Sequence, residues 1–178
     1  MDITDRKSAE EIQNKVRITL AEDLDHARRL QKLSTVSLAD EAGDRMYEEI
    51  LDSGIALMQA QFGSLQLLDE EQGELHLCAS RNFHPDSAAF WRKVSMGKGT
   101  SSASAFLRGE RVVVTDATDS DLVEDLKARR QYALSGIAAL QSTPLVTRSG
   151  RVLGVFSTHW RDRRDPSERE LAVRAPRG

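Results

Sequence analysis

Apolar residues recur every three or four positions along the first 30 residues, between charged ones. The clearest members of this stripe are Ala9, Ile12, Val16, Leu20 and Leu24. The spacing predicts one long helix over residues 4–33. Because the stripe is too narrow for a globular core, we expect it to pair with the same helix of a second chain. The alternative is a helix that folds back on its own domain.

A second helix is predicted to start at Gly43–Asp44, and its apolar side faces a core in DRMYEEILDSGIALMQAQFG. Two hairpins are predicted further on. The first joins residues 64–69 and 74–81 through a turn at 70–73, and the second joins IAALQSTPLV to RVLGVFSTHW through TRSG. Pro144 in the second hairpin belongs at an edge or outward-facing position, because it cannot donate to a strand partner.

Shorter elements lie between the hairpins. A short helix begins near Pro85, another covers 101–108, a strand covers 111–116, and a helix runs from about Ser120 to Ala133. The order predicts an α/β protein of the α+β kind. Its central sheet is mainly antiparallel, with five to six strands, long helices on one face and short helices and loops on the other. A pocket is expected under the loops.

Composition narrows the class of protein. The chain has 178 residues and a formal net charge of −3, and an acidic balance argues against a nucleic-acid partner. No apolar run approaches the ~20 residues of a membrane helix, so we predict no membrane segment. The single cysteine, Cys78, favours a reducing, cytoplasmic setting.

The sequence contains no recognisable catalytic or metal-binding motif. GKGTSS lacks the glycine spacing of a phosphate-binding loop, and no G-x-S-x-G occurs. The four histidines and Cys78 lack zinc-ligand spacing, so no metal site is predicted. His26 on the long helix is interpreted as a surface residue. Phe90 and Trp91 either plug the core or roof a ligand pocket.

The order of blocks resembles a GAF domain of multi-domain bacterial sensor proteins, of the PAS–GAF sensor histidine kinase type. The blocks are EEILDSGIALMQAQFGSLQLLD, FWRKVSMGKGTSSASAFLRGERVVVTD and LQSTPLVTRSGRVLGVFSTHW with DPSEREL. MDITDRKSAEE resembles the exit of a PAS domain. The resemblance implies that residues 1–33 are a coiled-coil-like connector, residues 34–172 a GAF domain and residues 173–178 a tail. We therefore expect a segment, or a short member, of a relay protein.

The resemblance implies a non-catalytic sensory module that forms a homodimer through its N-terminal helix and binds a small molecule at the loop face. Strand alternation and the family layout give the candidate ligand-binding residues Cys78, Phe90, Trp91, Ser101, Gln141, Ser157 and His159. The cofactor stays unknown. The N-K-x(n)-F-x3-D-E cyclic-nucleotide pattern is missing, Cys78 has no adjacent His for a bilin, and Ser101–Ser102 replace a Cys-Gly of many relatives.

Two other functions stay open. The domain is alternatively a structural dimerisation and relay module with an empty core. An enzyme of the methionine-sulfoxide reductase kind would need redox cysteines, and a single Cys78 argues against it.

Overall fold

The computed structural model describes residues 3–33, 38–97 and 99–164. Helix α1 (Ile3–Leu33) leads to helix α2 (Leu38–Met58). The strands are β1 (Phe62–Asp69), β2 (Glu74–Arg81), β3 (Lys93–Ser95), β4 (Val112–Val114), β5 (Ala139–Val146) and β6 (Val152–Trp160). Helices α3 (Pro85–Phe90), α4 (Ser101–Arg108) and α5 (Leu126–Ser135) lie between them.

The six strands form one sheet in the order β3-β2-β1-β6-β5-β4, and every described pair is antiparallel. This confirms the predicted GAF-like α+β class. Strand β3 was not predicted separately, because three residues are too few to show alternation. At Pro144, β5 is paired only with β6, since pairing with β4 ends at Ser142. The missing N–H therefore costs no bond to β4.

The sheet separates two apolar clusters. One contains Leu24 and Leu51 from the long helices and Leu65 and Leu153 from the sheet. The other contains residues of the short helices and loops. The predicted placement of long and short helices on opposite faces is therefore observed.

Helix α1 divides its apolar stripe between two surroundings. Ala21 and Leu24 are fully buried against the domain, whereas Ile12 and Val16 are 60% and 46% exposed. Asp25 of α1 pairs with Arg151, and the Arg148 N–H donates to Glu22 Oε1 at 2.9 Å. The C-terminal half of α1 is thus attached to the β5–β6 turn, and the N-terminal half presents an apolar strip to solvent.

Two predicted helix starts are wrong. Helix α2 begins at Leu38 and runs through Gly43, because Leu38–Ala42 are mostly good helix formers that outweigh one glycine. Helix α5 begins only at Leu126, capped by the Asp125 carboxylate. The preceding loop is held instead by Arg129, whose guanidinium donates to the carbonyls of Thr118, Ser120 and Val123.

The DPSEREL block and the tail 173–178 lie outside the described residues, as does the His26 side chain. Among the residues described, no helix combines the length and apolar character that a membrane crossing needs.

Candidate ligand site

A small cavity lies on the short-helix side of the sheet. Its lining residues come from two central strands, two loops and two helices: Ser64, Gln66, Phe83, Trp91, Ser102, Tyr132 and His159. The space not filled by protein atoms is about 200 Å³, part of it open to solvent. The room inside it for a molecule the size of water is only about 10 Å³, roughly what a single water needs.

Strand pairing brings the polar lining residues together. Alternate residues of a strand point to the same face, so Ser64 and Gln66 of β1 share the face of His159 of β6. The register sets Phe62 opposite His159 and Ser64 opposite Ser157. The floor of the cavity is therefore built by the two strands at the middle of the sheet.

Aromatic rings form much of the wall. The Trp91 ring stacks on Tyr132 with centroids 5.0 Å apart, and Phe83 meets His159 edge-on at 5.1 Å. Phe90 packs edge-on against Trp91 at 4.8 Å, outside the lining set. Trp91 is 4% exposed, so this side chain serves both as core and as cavity wall. Both interpretations proposed from the sequence, core plug and pocket wall, thus apply to Trp91, whereas Phe90 only packs against it.

A chain of buried hydroxyl groups lies behind the wall. Ser142 Oγ donates to Ser101 Oγ at 3.1 Å and lies 2.9 Å from Ser157 Oγ, and Ser101 Oγ lies 3.5 Å from Tyr132 Oη. Tyr132 belongs to the lining, whereas Ser101 and Ser157 do not. Burial raises the pKa of Tyr132 to about 12, so the phenol is neutral at physiological pH.

Two buried polar atoms at the cavity lack a protein partner. Gln66 is 2% exposed, and its Nε2 donates to the Trp91 carbonyl at 3.3 Å while its Oε1 has no partner. His159 is 3% exposed, and its Nδ1 has no partner. Burial lowers the pKa of His159 to about 3, against an opposing hydrogen bond with the Phe62 backbone, so the ring is neutral. Leaving such atoms unsatisfied costs about 1–3 kcal/mol each.

The structure brings only part of the predicted set together. Trp91 and His159 line the cavity, and Phe90 supports Trp91. Ser101 lies one hydrogen-bonded step behind the lining residue Tyr132, and Ser157 lies two steps further, through Ser142. Cys78 and Gln141 lie on the opposite face of the sheet.

The position of Cys78 follows from a β-bulge. Leu65 pairs with Ala79 and Gln66 with Leu77, so Cys78 is the extra residue of β2. It packs in the cluster of the long helices, together with Ala79. Gln141 is set opposite Thr158, and its Nε2 donates to Thr143 Oγ1 at 3.3 Å, on the face away from Ser142.

Sequence reasoning missed five lining residues: Ser64, Gln66, Phe83, Ser102 and Tyr132. Two of them left a signal. Ser64 and Gln66 are polar at alternate positions of an otherwise apolar strand, which is unusual for a buried face. Within residues 3–33, 38–97 and 99–164, no group of three or more His, Cys, Asp or Glu side chains is placed to hold a metal ion.

Comparison with known proteins identifies the family. Residues 42–174 match the family described as GAF domain. The chain belongs to the GAF family. A protein of Methanosarcina acetivorans named methyl sulfide methyltransferase-associated sensor is 30% identical over 175 aligned residues, and the alignment covers 96% of this chain. The chain spans only 16% of the length of that protein.

Solved structures share the fold at low identity. One is a domain of a protein described as a two-component sensor histidine kinase from Sinorhizobium meliloti, with a TM-score of 0.56, 24% identity and coverage of 71% of this chain and 78% of that one. Another is a type II free methionine-R-sulfoxide reductase from Thermoplasma acidophilum, with a TM-score of 0.56, 12% identity and coverage of 75% and 85%. At these identities the likeness concerns the fold alone.

Proposed function

We propose that this GAF domain is the sensory module of a larger signalling protein and that it binds a small molecule in the cavity of Gln66 and His159. The observation that carries the proposal is the pair of buried, partnerless atoms Gln66 Oε1 and His159 Nδ1. Proteins rarely keep such atoms at a cost to stability unless a water, ion or ligand satisfies them.

The same strand connects this cavity to α1. His159 lies near the end of β6, and β6 begins directly after Arg151, which pairs with Asp25 of α1. A ligand that shifts β6 would act on the attachment of α1. The signal transmitted is limited by the difference in the ligand's affinity for the two states.

We propose that α1 also forms a homodimer through its exposed strip. Ile12 and Val16 lie four residues apart on one side of the helix, which suits knobs-into-holes packing with a second copy. In this view residues 1–33 connect an upstream PAS-like module to the domain, and the output is a sensor histidine kinase. The sensor name of the Methanosarcina relative and the kinase title of the Sinorhizobium structure support that context.

We further propose that the module works in the cytoplasm and binds without catalysing. Its single cysteine, Cys78, packs in the cluster of the long helices. A reductase reaction in the cavity would need a thiol there, which argues against transferring the activity named for the Thermoplasma structure.

Native mass spectrometry of the untreated protein, followed by a denatured run, tests the ligand part. We expect a mass excess that disappears on denaturation and is absent in Ser102→Leu, which fills the cavity. A clean mass, unchanged between wild type and Ser102→Leu, would favour the structural-relay alternative.

The dimer is tested by sedimentation of Ile12→Ser. We expect a weaker dimer than in the wild type and in Leu107→Ser, a control with a similarly exposed apolar side chain on α4, 61% against 60%. A monomeric wild type, or equal effects of the two substitutions, would remove α1 as the interface.

A further inference from the structure

Arg17 lies near the point where α1 leaves the domain. Ala21 and Leu24, further along the helix, are fully buried, whereas Ile12 and Val16 before it are exposed. Residues four and seven apart share one side of a helix, so Arg17 lies on the side of Ala21 and Leu24. Its half-buried side chain is therefore directed to the domain, away from the exposed strip of Ile12 and Val16.

A second arginine approaches Arg17 from the sheet. Arg111 comes directly before β4, and the next residue, Val112, packs in the cluster of the short helices. Because side chains alternate along an extended segment, we expect Arg111 to lie on the opposite face with Val113, which is the face that α1 covers. Burial, and after it the positive charge of Arg111, lower the pKa of the Arg17 guanidinium. The two guanidiniums are thus neighbours of like charge.

Among the residues that the structure describes, no carboxylate compensates this pair, and neither Arg17 nor Arg111 forms an ion pair. The Arg17 Nη2 donates to Asn14 Oδ1 at 3.1 Å, but its Nε is buried and has no partner. A buried charged donor without an acceptor is unfavourable. The helix offers no acid within one turn, because the residues three and four positions away are Gln13, Asn14, Leu20 and Ala21.

The chemistry of the missing partner follows from these donors. A guanidinium presents a planar fork of N–H groups that matches the oxygens of a carboxylate or a phosphate. An oxyanion between Arg17 and Arg111 would offset their repulsion and offer an acceptor to the Arg17 Nε–H. A second copy of the chain that packs on Ile12 and Val16 would not supply this oxyanion, since that strip lies on another side of α1.

We propose that Arg17 and Arg111 form a site for a small oxyanion, with a phosphate or carboxylate group, and that the bound anion fastens α1 to the domain beside β4. Asp25 and Glu22 already hold α1 at the β5–β6 turn, and the anion would extend this attachment towards the N-terminus of the helix. The site lies on the other face of the sheet from the cavity, so it requires no ligand there.

Binding is tested on the 178-residue chain with inorganic phosphate, acetate and chloride at equal ionic strength. The Arg17 Nε–H signal in a ¹H–¹⁵N NMR spectrum reports on the site, and its loss in Arg17→Met assigns it. Two charge-assisted hydrogen bonds correspond to a dissociation constant on the order of 1 mM. Chloride should bind about 10-fold or more weakly, because one atom does not match a fork. Tighter binding of phosphate than of acetate would identify a phosphate group as the ligand, and the reverse order a carboxylate.

Arg111→Met separates the site from general effects of salt. Methionine keeps an apolar stem and removes the charge. The matched control is Arg130→Met, the same substitution at an exposed arginine of α5. Phosphate affinity should fall about 10-fold or more in Arg111→Met and stay within about twofold in Arg130→Met. Thermal unfolding verifies that both variants are folded.

Hydrogen exchange of the amides of residues 17–24 tests whether the anion fastens α1. Without phosphate, Arg111→Met should exchange as slowly as the wild type or more slowly, because a like-charge repulsion is lost. Phosphate at about 10 times its dissociation constant should slow exchange in the wild type by up to about 10-fold, and it should not slow exchange in Arg111→Met.

Three results would overturn the oxyanion site. The first is an Arg17 signal that neither phosphate nor acetate shifts at about 20 times the expected dissociation constant. The second is equal phosphate affinity of the wild type and Arg111→Met. The third is an equal response to chloride, which would show ionic screening alone. Phosphate binding without any change in the exchange of α1 would overturn the fastening of the helix. The native mass measurement decides the cavity ligand separately.

Discussion

Gly154 lies where β6 passes between β1 and β5, opposite Leu67 and Leu145. A Cβ built on Gly154 would lie 2.1 Å from the Gln66 carbonyl oxygen and 2.9 Å from Leu67 Cα. Both are backbone atoms, so no side-chain rotation relieves the contact. Gly154→Ala should therefore force β1 and β6 apart at the floor of the cavity.

The magnitude follows from the size of the overlap. A Cβ atom closer than 3.0 Å to a backbone atom forces one of the two strands to move. The contact with the carbonyl oxygen would be about 0.9 Å closer than that limit. Overpacking a core lowers the free energy of unfolding by about 1–3 kcal/mol. Because the backbone itself must move here, we expect Gly154→Ala to lie at the upper end, about 3 kcal/mol. For a domain of this size that lowers Tm by about 6–12 °C.

Two further glycines serve as controls for the same chemical change. A Cβ at Gly97 meets nothing within 4 Å, and Gly97→Ala should change the free energy of unfolding by less than about 0.5 kcal/mol. At Gly54 the three atoms nearest to the Cβ would all belong to the Phe156 ring, the first at 2.3 Å. Because this side chain can move, we expect an intermediate cost. Urea unfolding of the three variants gives the comparison. Equal stabilities of Gly154→Ala and Gly97→Ala would refute the close approach of β6 to β1.

Burial of neutral His159 should make stability fall as pH decreases from about 6.5 towards 3, because the unfolded ring gains a proton that the folded ring excludes. The slope attributable to it is about 1.4 kcal/mol per pH unit, and His159→Phe should remove that slope; parallel stability–pH curves of the two proteins would contradict this. Arg129→Ala should speed hydrogen exchange of amides in residues 117–125 and cost about 2–3 kcal/mol, because three carbonyls lose their donor. Arg129→Lys should not restore protection, since one ammonium cannot reproduce the planar fork; full recovery would show that charge alone holds the loop.

Periodicity was sufficient to predict the long helices and both hairpins. Residues of β6 such as Val155, Ser157 and His159 alternate regularly, so the face of Ser157 and His159 could be predicted from one strand. The face of Cys78 could not, because a bulge at that residue interrupts the alternation of β2. Gln141 was misplaced for a related reason. Which of Gln141 and Ser142 shares the face of Ser157 depends on cross-strand register, and the register sets Ser142 opposite Ser157.

The lining residues of the short helices were beyond the reach of local patterns. Tyr132 enters the cavity because α5 starts at Leu126, and that start depends on the Asp125 cap and on Arg129 holding the loop before it. These are contacts between segments of irregular structure, which hydrophobic spacing does not encode. Trp91 was found only because aromatic residues are scarce in the chain.

The two strands that form the cavity floor approach each other closely at Gly154. Gly154 permits the close approach of β6 to β1 beside Gln66. His159 lies on β6, the strand that begins directly after the turn residue Arg151, which pairs with Asp25 of α1. Over the seven residue steps from Val152 to His159 an extended strand spans about 23 Å. A guest that draws Gln66 and His159 together therefore acts on both closely packed strands at once. Because Asp25 and Glu22 hold α1 to the β5–β6 turn, α1 is the element that such a shift would reach first.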